Sequence, residues 1–130
     1  MSFDWHEYFV LGRELTARQT LTVSDEALLR TAISRVYYSV YHRALVVATA
    51  KDHYQYPRGA GLGAHEALIQ HFLQYADADR QAIAGSLETL RNLRVRADYY
   101  DRISPTALTR NNVLLTFALA DSTLHNLNTL

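Results

Sequence analysis

Cysteine is absent from the 130 residues, which excludes disulfides, thiolate catalysis and cysteine-type zinc sites and leaves the redox compartment open. Lysine is nearly absent: Lys51 is the only one among 13 basic residues. Net charge is also missing, 13 basic residues against 13 acidic, so the whole molecule exerts no strong pull on nucleic acid or an anionic membrane. No long hydrophobic run exists. The longest, Ala44 to Ala50 with Thr49 inside it, is far too short to span a bilayer. Met1-Ser2-Phe3-Asp4-Trp5-His6-Glu7 carries acids and no long apolar run, so a signal peptide is not expected and a cytoplasmic location is. No segment shows strand alternation bounded by turns.

What is present describes a folded domain. Apolar residues make up 48% and charged residues 20%, enough for a core in a single domain over residues 1–130. Residues 4–19 place Trp5, Tyr8, Phe9, Gly12 and Leu15 at three- and four-residue steps, an amphipathic helix in which Gly12 is a weak point or a close-packing site. Thr20 to Val23 reads as a break. Ser24-Asp25-Glu26 then starts a helix, serine as cap and two acids at the positive end of the dipole. This helix runs to about Lys51 on a core stripe of Leu29, Ile33, Val36, Val40, Ala44 and Val47. On its nearly opposite side, Arg35, Tyr38 and His42 fall within ~60° of one another, either a solvated face or a polar surface for a partner or ligand.

Residues 52–63, with Pro57 and Gly59, Gly61 and Gly63, form the sustained connector. They lack the preceding strand and spacing of a dinucleotide fingerprint, and no Lys-Ser/Thr follows as in a P-loop. A short helix over Ala64–Tyr75 follows, with Leu68, Phe72 and Tyr75 as its apolar contacts; His65 and His71 point to different faces, and no metal site is expected. Asp77 caps a fourth helix reaching about Tyr100. Ser104-Pro105 predicts another start, serine as cap and proline in the first turn, for a last helix packing through Val113, Phe117, Ala120, Leu124 and Leu127. The fold class is therefore all-α, an antiparallel bundle of four longer helices plus one short one.

Polar chemistry concentrates in Arg91-Asn92-Leu93-Arg94-Val95-Arg96-Ala97-Asp98-Tyr99-Tyr100-Asp101. Arg91, Arg94 and Asp98 fall within ~60° on a helical wheel, beside an apolar sector of Ile83, Leu87, Leu90, Leu93 and Ala97. The trio sits at the edge of the buried face. A plain reading is an Arg94–Asp98 pair holding a helix end, at ~0.3–0.5 kcal/mol. Residues 91–110 also carry five arginines against two aspartates, and arginine's fork suits bidentate phosphate contacts.

Two segments give the chain a family resemblance. Ile33-Ser34-Arg35-Val36-Tyr37-Tyr38-Ser39-Val40-Tyr41-His42 resembles the Ser-Arg-x-Tyr-Tyr-x-x-Phe-His segment of the HEPN superfamily. Leu93-Arg94-Val95-Arg96-Ala97-Asp98-Tyr99 is similar to its Arg-x-x-Ala-Asp-Tyr ending of the fourth helix. His65 falls where the family often has a histidine opening its third helix. The resemblance is narrowest with small stand-alone members encoded beside minimal nucleotidyltransferases. It implies a HEPN-like homodimer with the motif helices facing each other across a cleft. Many such proteins are metal-independent ribonucleases, often toxins, in which an arginine holds the scissile phosphate and a histidine moves a proton. Carried over, Arg94 takes the arginine's place, while Tyr99 stands where the histidine is expected; Asp98, Tyr99 and His42 are the candidate catalytic groups. A phenol of pKa ≈ 10 is a poor base at neutral pH. Arg35, Tyr38 and Arg91 are candidate ligand contacts, and Tyr99 and Tyr100 candidate acceptors for modification by a nucleotidyltransferase-type antitoxin.

The leading expectation is a dimeric module whose arginine-lined cleft binds RNA or nucleotide phosphate without cutting, in a toxin–antitoxin or defence setting. A ribonuclease toxin and a non-catalytic protein-interaction subunit are the alternatives. No cofactor, metal or membrane partner is expected.

Overall fold

In the computed structural model the described residues are 3–18, 24–104 and 108–130; they form five helices and no strand. The helices are α1 (His6–Ala17), α2 (Asp25–Asp52), α3 (Ala64–Leu73), α4 (Ala78–Tyr99) and α5 (Arg110–Thr129). The expected break at Thr20–Val23 lies outside the described residues. So does Pro105 of the expected last-helix start. α5 as described begins at Arg110, with the Thr109 hydroxyl accepting from the Asn112 N–H at 3.1 Å.

Two caps work as their residue types dictate. The Ser24 hydroxyl accepts from the Ala27 N–H at 3.2 Å, and the Asp77 carboxylate accepts from the Arg80 N–H at 3.0 Å. α1 is shorter than its 4–19 pattern, because the Asp4 carboxylate takes the His6 N–H at 3.0 Å and the helix starts there. α3 ends at Leu73, two residues early. Tyr75 leaves the helix to lie under the Arg80 guanidinium, 4.6 Å from ring to Cζ.

α2 is the axis of the molecule: 28 residues, about 42 Å at ~1.5 Å per residue, and in contact with all four other helices. Its whole predicted stripe is buried, as is that of α5. In α4 the sector is buried except Leu93, which packs half-buried against it. Residues Asp52 and Arg80 meet across one end of the α2–α4 pair, Arg30 and Ala97 across the other, so these helices run antiparallel. Asp25 meets Arg110 and Arg43 meets Asn128, so α2 and α5 run the same way. α1 crosses back over α2 at Gly12. A Cβ there would stand 2.9 Å from Val36 Cγ2 and 3.1 Å from the Ala32 carbonyl, which makes Gly12 a close-packing site. No described helix is long and apolar enough to cross a membrane.

Candidate functional site

Four of the predicted residues, Arg94, Asp98, Tyr38 and Tyr99, gather where the middle of α2 faces the last two turns of α4. Arg94 is buried, its side chain 8% exposed, although it belongs to the most polar segment of the sequence. The α4 wheel puts it at the edge of the apolar face. What buries it is a tier of tyrosines projecting from α2 and the end of α4. Its Cζ lies 5.4 Å from the Tyr37 ring centre, 5.3 Å from Tyr38 and 5.8 Å from Tyr99. The rings' negative faces offset part of the cost of removing the cation from water. The nearest carboxylate is Asp98, Nη1 to Oδ2 at 3.6 Å, which is too long for a hydrogen bond. Asp98 instead accepts from the Ser34 hydroxyl of α2 at 3.2 Å. The Arg94 Nε donor is buried with no hydrogen-bond partner. The pair is thus a loose charge contact rather than a helix-end bond.

Behind the arginine, the Tyr37 hydroxyl sits 2.5 Å from His65 Nδ1 in the first turn of α3. Burial pushes the Tyr37 phenol well above the ordinary tyrosine range, against the opposing pull of the Arg94 charge. Burial pushes His65 below its ordinary value, and the positive charges of Arg94 and Arg91 push it the same way. Both groups are therefore neutral near pH 7, and the phenol donates to the imidazole. Tyr41 covers the same histidine, ring centres 4.3 Å apart.

The other predicted residues take different places. His42 does not face Arg94. It stacks on Trp5 of the segment leading into α1, centres 3.5 Å apart and planes 12° apart, and reaches Tyr38 only at 6.4 Å. Burial lowers its pKa. Arg35 stands over Tyr8, 4.7 Å from the ring centre. The Arg35–Tyr38–His42 stripe is thus half-buried beneath the start of α1 rather than a solvated face, because α1 brings two aromatic rings onto it. Arg91 turns from Asp98 to Glu66 of α3, Nη1 to Oε2 at 3.0 Å. Tyr99 and Tyr100 are exposed, at 71% and 52%.

Sequence reasoning missed Tyr37, Ser34 and Glu66 as members, and gave His65 no role of its own. Ser34, Tyr38 and Tyr41 stand at i, i+4 and i+7, a polar stripe that would have marked the face meeting α4. Tyr37 reads as core because its ring is core; only its hydroxyl reaches out of it, to His65. Glu66 and His65 reach the site through the 53–63 connector, and no helical spacing reveals that. Among the described residues no group of three or more histidine, aspartate or glutamate side chains stands close enough to hold a metal ion. Comparison with protein-family models, with curated proteins and with solved structures finds no match to the chain.

Proposed function

We propose that the chain is a HEPN-like four-helix module, acting as a homodimer, whose Arg94 site binds RNA or nucleotide phosphate without cutting it, in a toxin–antitoxin or defence setting. One observation carries the reading: a buried guanidinium with an unpartnered Nε and its only carboxylate beyond hydrogen-bond reach. Burying a cation is costly unless its donors are met, so a structural arginine acquires bonded partners. An arginine awaiting an anion keeps its fork open and is held by packing, as the Tyr37 and Tyr38 rings hold this one. A facing copy would close the open side of the site and complete the shelter.

Binding without cleavage is favoured by where the imidazoles lie. His42 is stacked on Trp5, and His65 takes the Tyr37 hydroxyl at its Nδ1, so neither is free beside Arg94 to move a proton during 2′-hydroxyl attack. The exposure of Tyr99 and Tyr100 fits their reading as acceptors for a partner nucleotidyltransferase.

Purified protein incubated with a mixed RNA pool, with and without chelator, tests this. The expected result is intact RNA retained by the wild type and released by Arg94→Ala. Cleavage that Arg94→Ala abolishes would make the chain a ribonuclease instead. RNA neither held nor cut would leave a protein-interaction subunit.

A further inference from the structure

A second site lies on the other side of His42. The segment leading into α1, the middle of α2 and the second half of α5 enclose a groove of about 1010 Å³, at the upper end of the ~300–1,000 Å³ span of small-molecule sites. At its floor is Ser39, 1% exposed, whose hydroxyl has no hydrogen-bond partner. Serine in a helix ordinarily turns such a hydroxyl to solvent or to the carbonyl one turn back. Here it lies in the groove wall, and a rotamer turned toward the groove would offer it to an incoming polar group.

The lining divides by chemistry. One wall is the Trp5 indole, held by stacking on His42 and by edge contacts from Phe3 at 4.9 Å and Tyr8 at 5.3 Å. Three rings fix its orientation before any ligand arrives. Arg43 lines the groove and commits only its Nε, to the Asn128 side-chain oxygen at 3.0 Å; its two terminal nitrogens have no bonded partner among the described residues. Asp121 likewise lines the groove without a hydrogen bond or ion pair there. A flat aromatic wall, a guanidinium fork with both ends open, a free carboxylate and a buried hydroxyl complement one kind of molecule: a planar heteroaromatic base joined through a hydroxylated linker to an anionic group. The base would stack on the wall, the hydroxyls would donate to Asp121, and the phosphate would take the fork.

We infer that this groove is a nucleotide-binding site, separate from the Arg94 cluster and independent of what that cluster does. The same chemistry is offered by a free nucleoside monophosphate and by the phosphorylated end of an RNA strand.

Trp5 is the only tryptophan in the chain, so its emission reports on the groove alone. Adenosine 5′-monophosphate should quench it saturably, and adenosine should do so at least tenfold more weakly, on the order of one charge-assisted bidentate contact. Arg43→Gln should weaken the nucleotide by a similar factor, and Ser39→Ala by about 3- to 10-fold. Ser39→Ala removes an unsatisfied buried group, so its urea midpoint should stay level or rise; affinity falls while stability does not, which a structural serine would not give. Arg94→Ala should leave the quench intact, which separates this site from the phosphate reading above. Quenching by the mononucleotide, but not by a short 5′-phosphorylated oligoadenylate, assigns a free nucleotide; quenching by both assigns a strand end as well. No saturable quench by either at millimolar concentration, or affinities unchanged in both Arg43→Gln and Ser39→Ala, overturns the inference.

Discussion

Arg94 is the residue on which the functional reading turns, and its energetics differ from those of an ordinary salt bridge. Exchanging it for a flexible apolar side chain removes a desolvated cation whose carboxylate is 3.6 Å away, and gives up its contacts with the tyrosine rings. These terms oppose one another, so Arg94→Met should lower the unfolding free energy in urea by less than ~1 kcal/mol or raise it. A loss of ~3 kcal/mol or more would return Arg94 to a structural role. Gly12 provides the opposite case. Gly12→Ala gains helix propensity of ~1 kcal/mol but drives a Cβ against Val36 and the Ala32 carbonyl, so a net loss of about 1–2 kcal/mol is expected. A stabilised variant would show that α1 and α2 are further apart than described. At this scale the sequence revealed less than it concealed. The spacing of Arg91, Arg94 and Asp98 was visible, but helical position does not say that Arg91 prefers Glu66 or that Asp98 prefers Ser34. Those choices are made by neighbours 25 and 64 residues away.

The elements are tied at their ends by ion pairs and capping arginines that periodicity does not register. Asp52, at the last position of α2, takes the Arg80 fork at 2.5 and 3.1 Å and the His71 Nε2 at 3.0 Å, so one carboxylate fastens α2, α3 and α4. Its side chain is 4% exposed. Burial alone would push its pKa up; the bonds from Arg80 and His71 and their charges together hold it below the ordinary carboxylate range. A depressed carboxylate stabilises the fold above its unfolded pKa of ~3.9, and that contribution is lost as pH falls through the folded value. Asp52→Asn should therefore cost on the order of 3 kcal/mol at pH 7. The deficit should shrink under acid, where the wild type loses the same interaction. A deficit independent of pH would contradict the assignment. Arg30 does the corresponding work at the far end, donating to the carbonyls of Ala97 at 3.1 Å and Tyr100 at 2.6 Å where α4 runs out of partners. Arg110 bonds the carbonyls of Thr16 and Arg18 as α1 ends. The helices themselves were legible, because Ser24, Asp77 and the apolar stripes of α2, α4 and α5 are local signals. Their ends were less so, since Asp4 and Thr109 compete with longer periodic patterns.

For the whole molecule, neutrality is an average over opposed regions, and two half-buried histidines give it a pH response. His42 and His65 are both held below the ordinary imidazole value, by burial first. The unfolded chain takes up their protons at ~6.5 while the folded chain resists, so stability is full above that value and declines as pH falls through it. Urea midpoints should therefore drop between pH 7.5 and pH 5.5, and His65→Gln should reduce the drop. An equal drop in the variant would remove His65 from the account. The Tyr37–His65 bond would loosen only at the lower pH where the folded imidazole itself takes up a proton, since a protonated Nδ1 no longer accepts.

The central claim is that Arg94 holds its fork open for a phosphate. The most direct test is RNA affinity of the wild type and of Arg94→Met across a range of salt concentrations. Affinity should fall linearly on a log–log scale, with a slope shallower by about 0.7 to 1 per subunit in the variant, as one phosphate contact is lost. Identical slopes and affinities in the two proteins would contradict it.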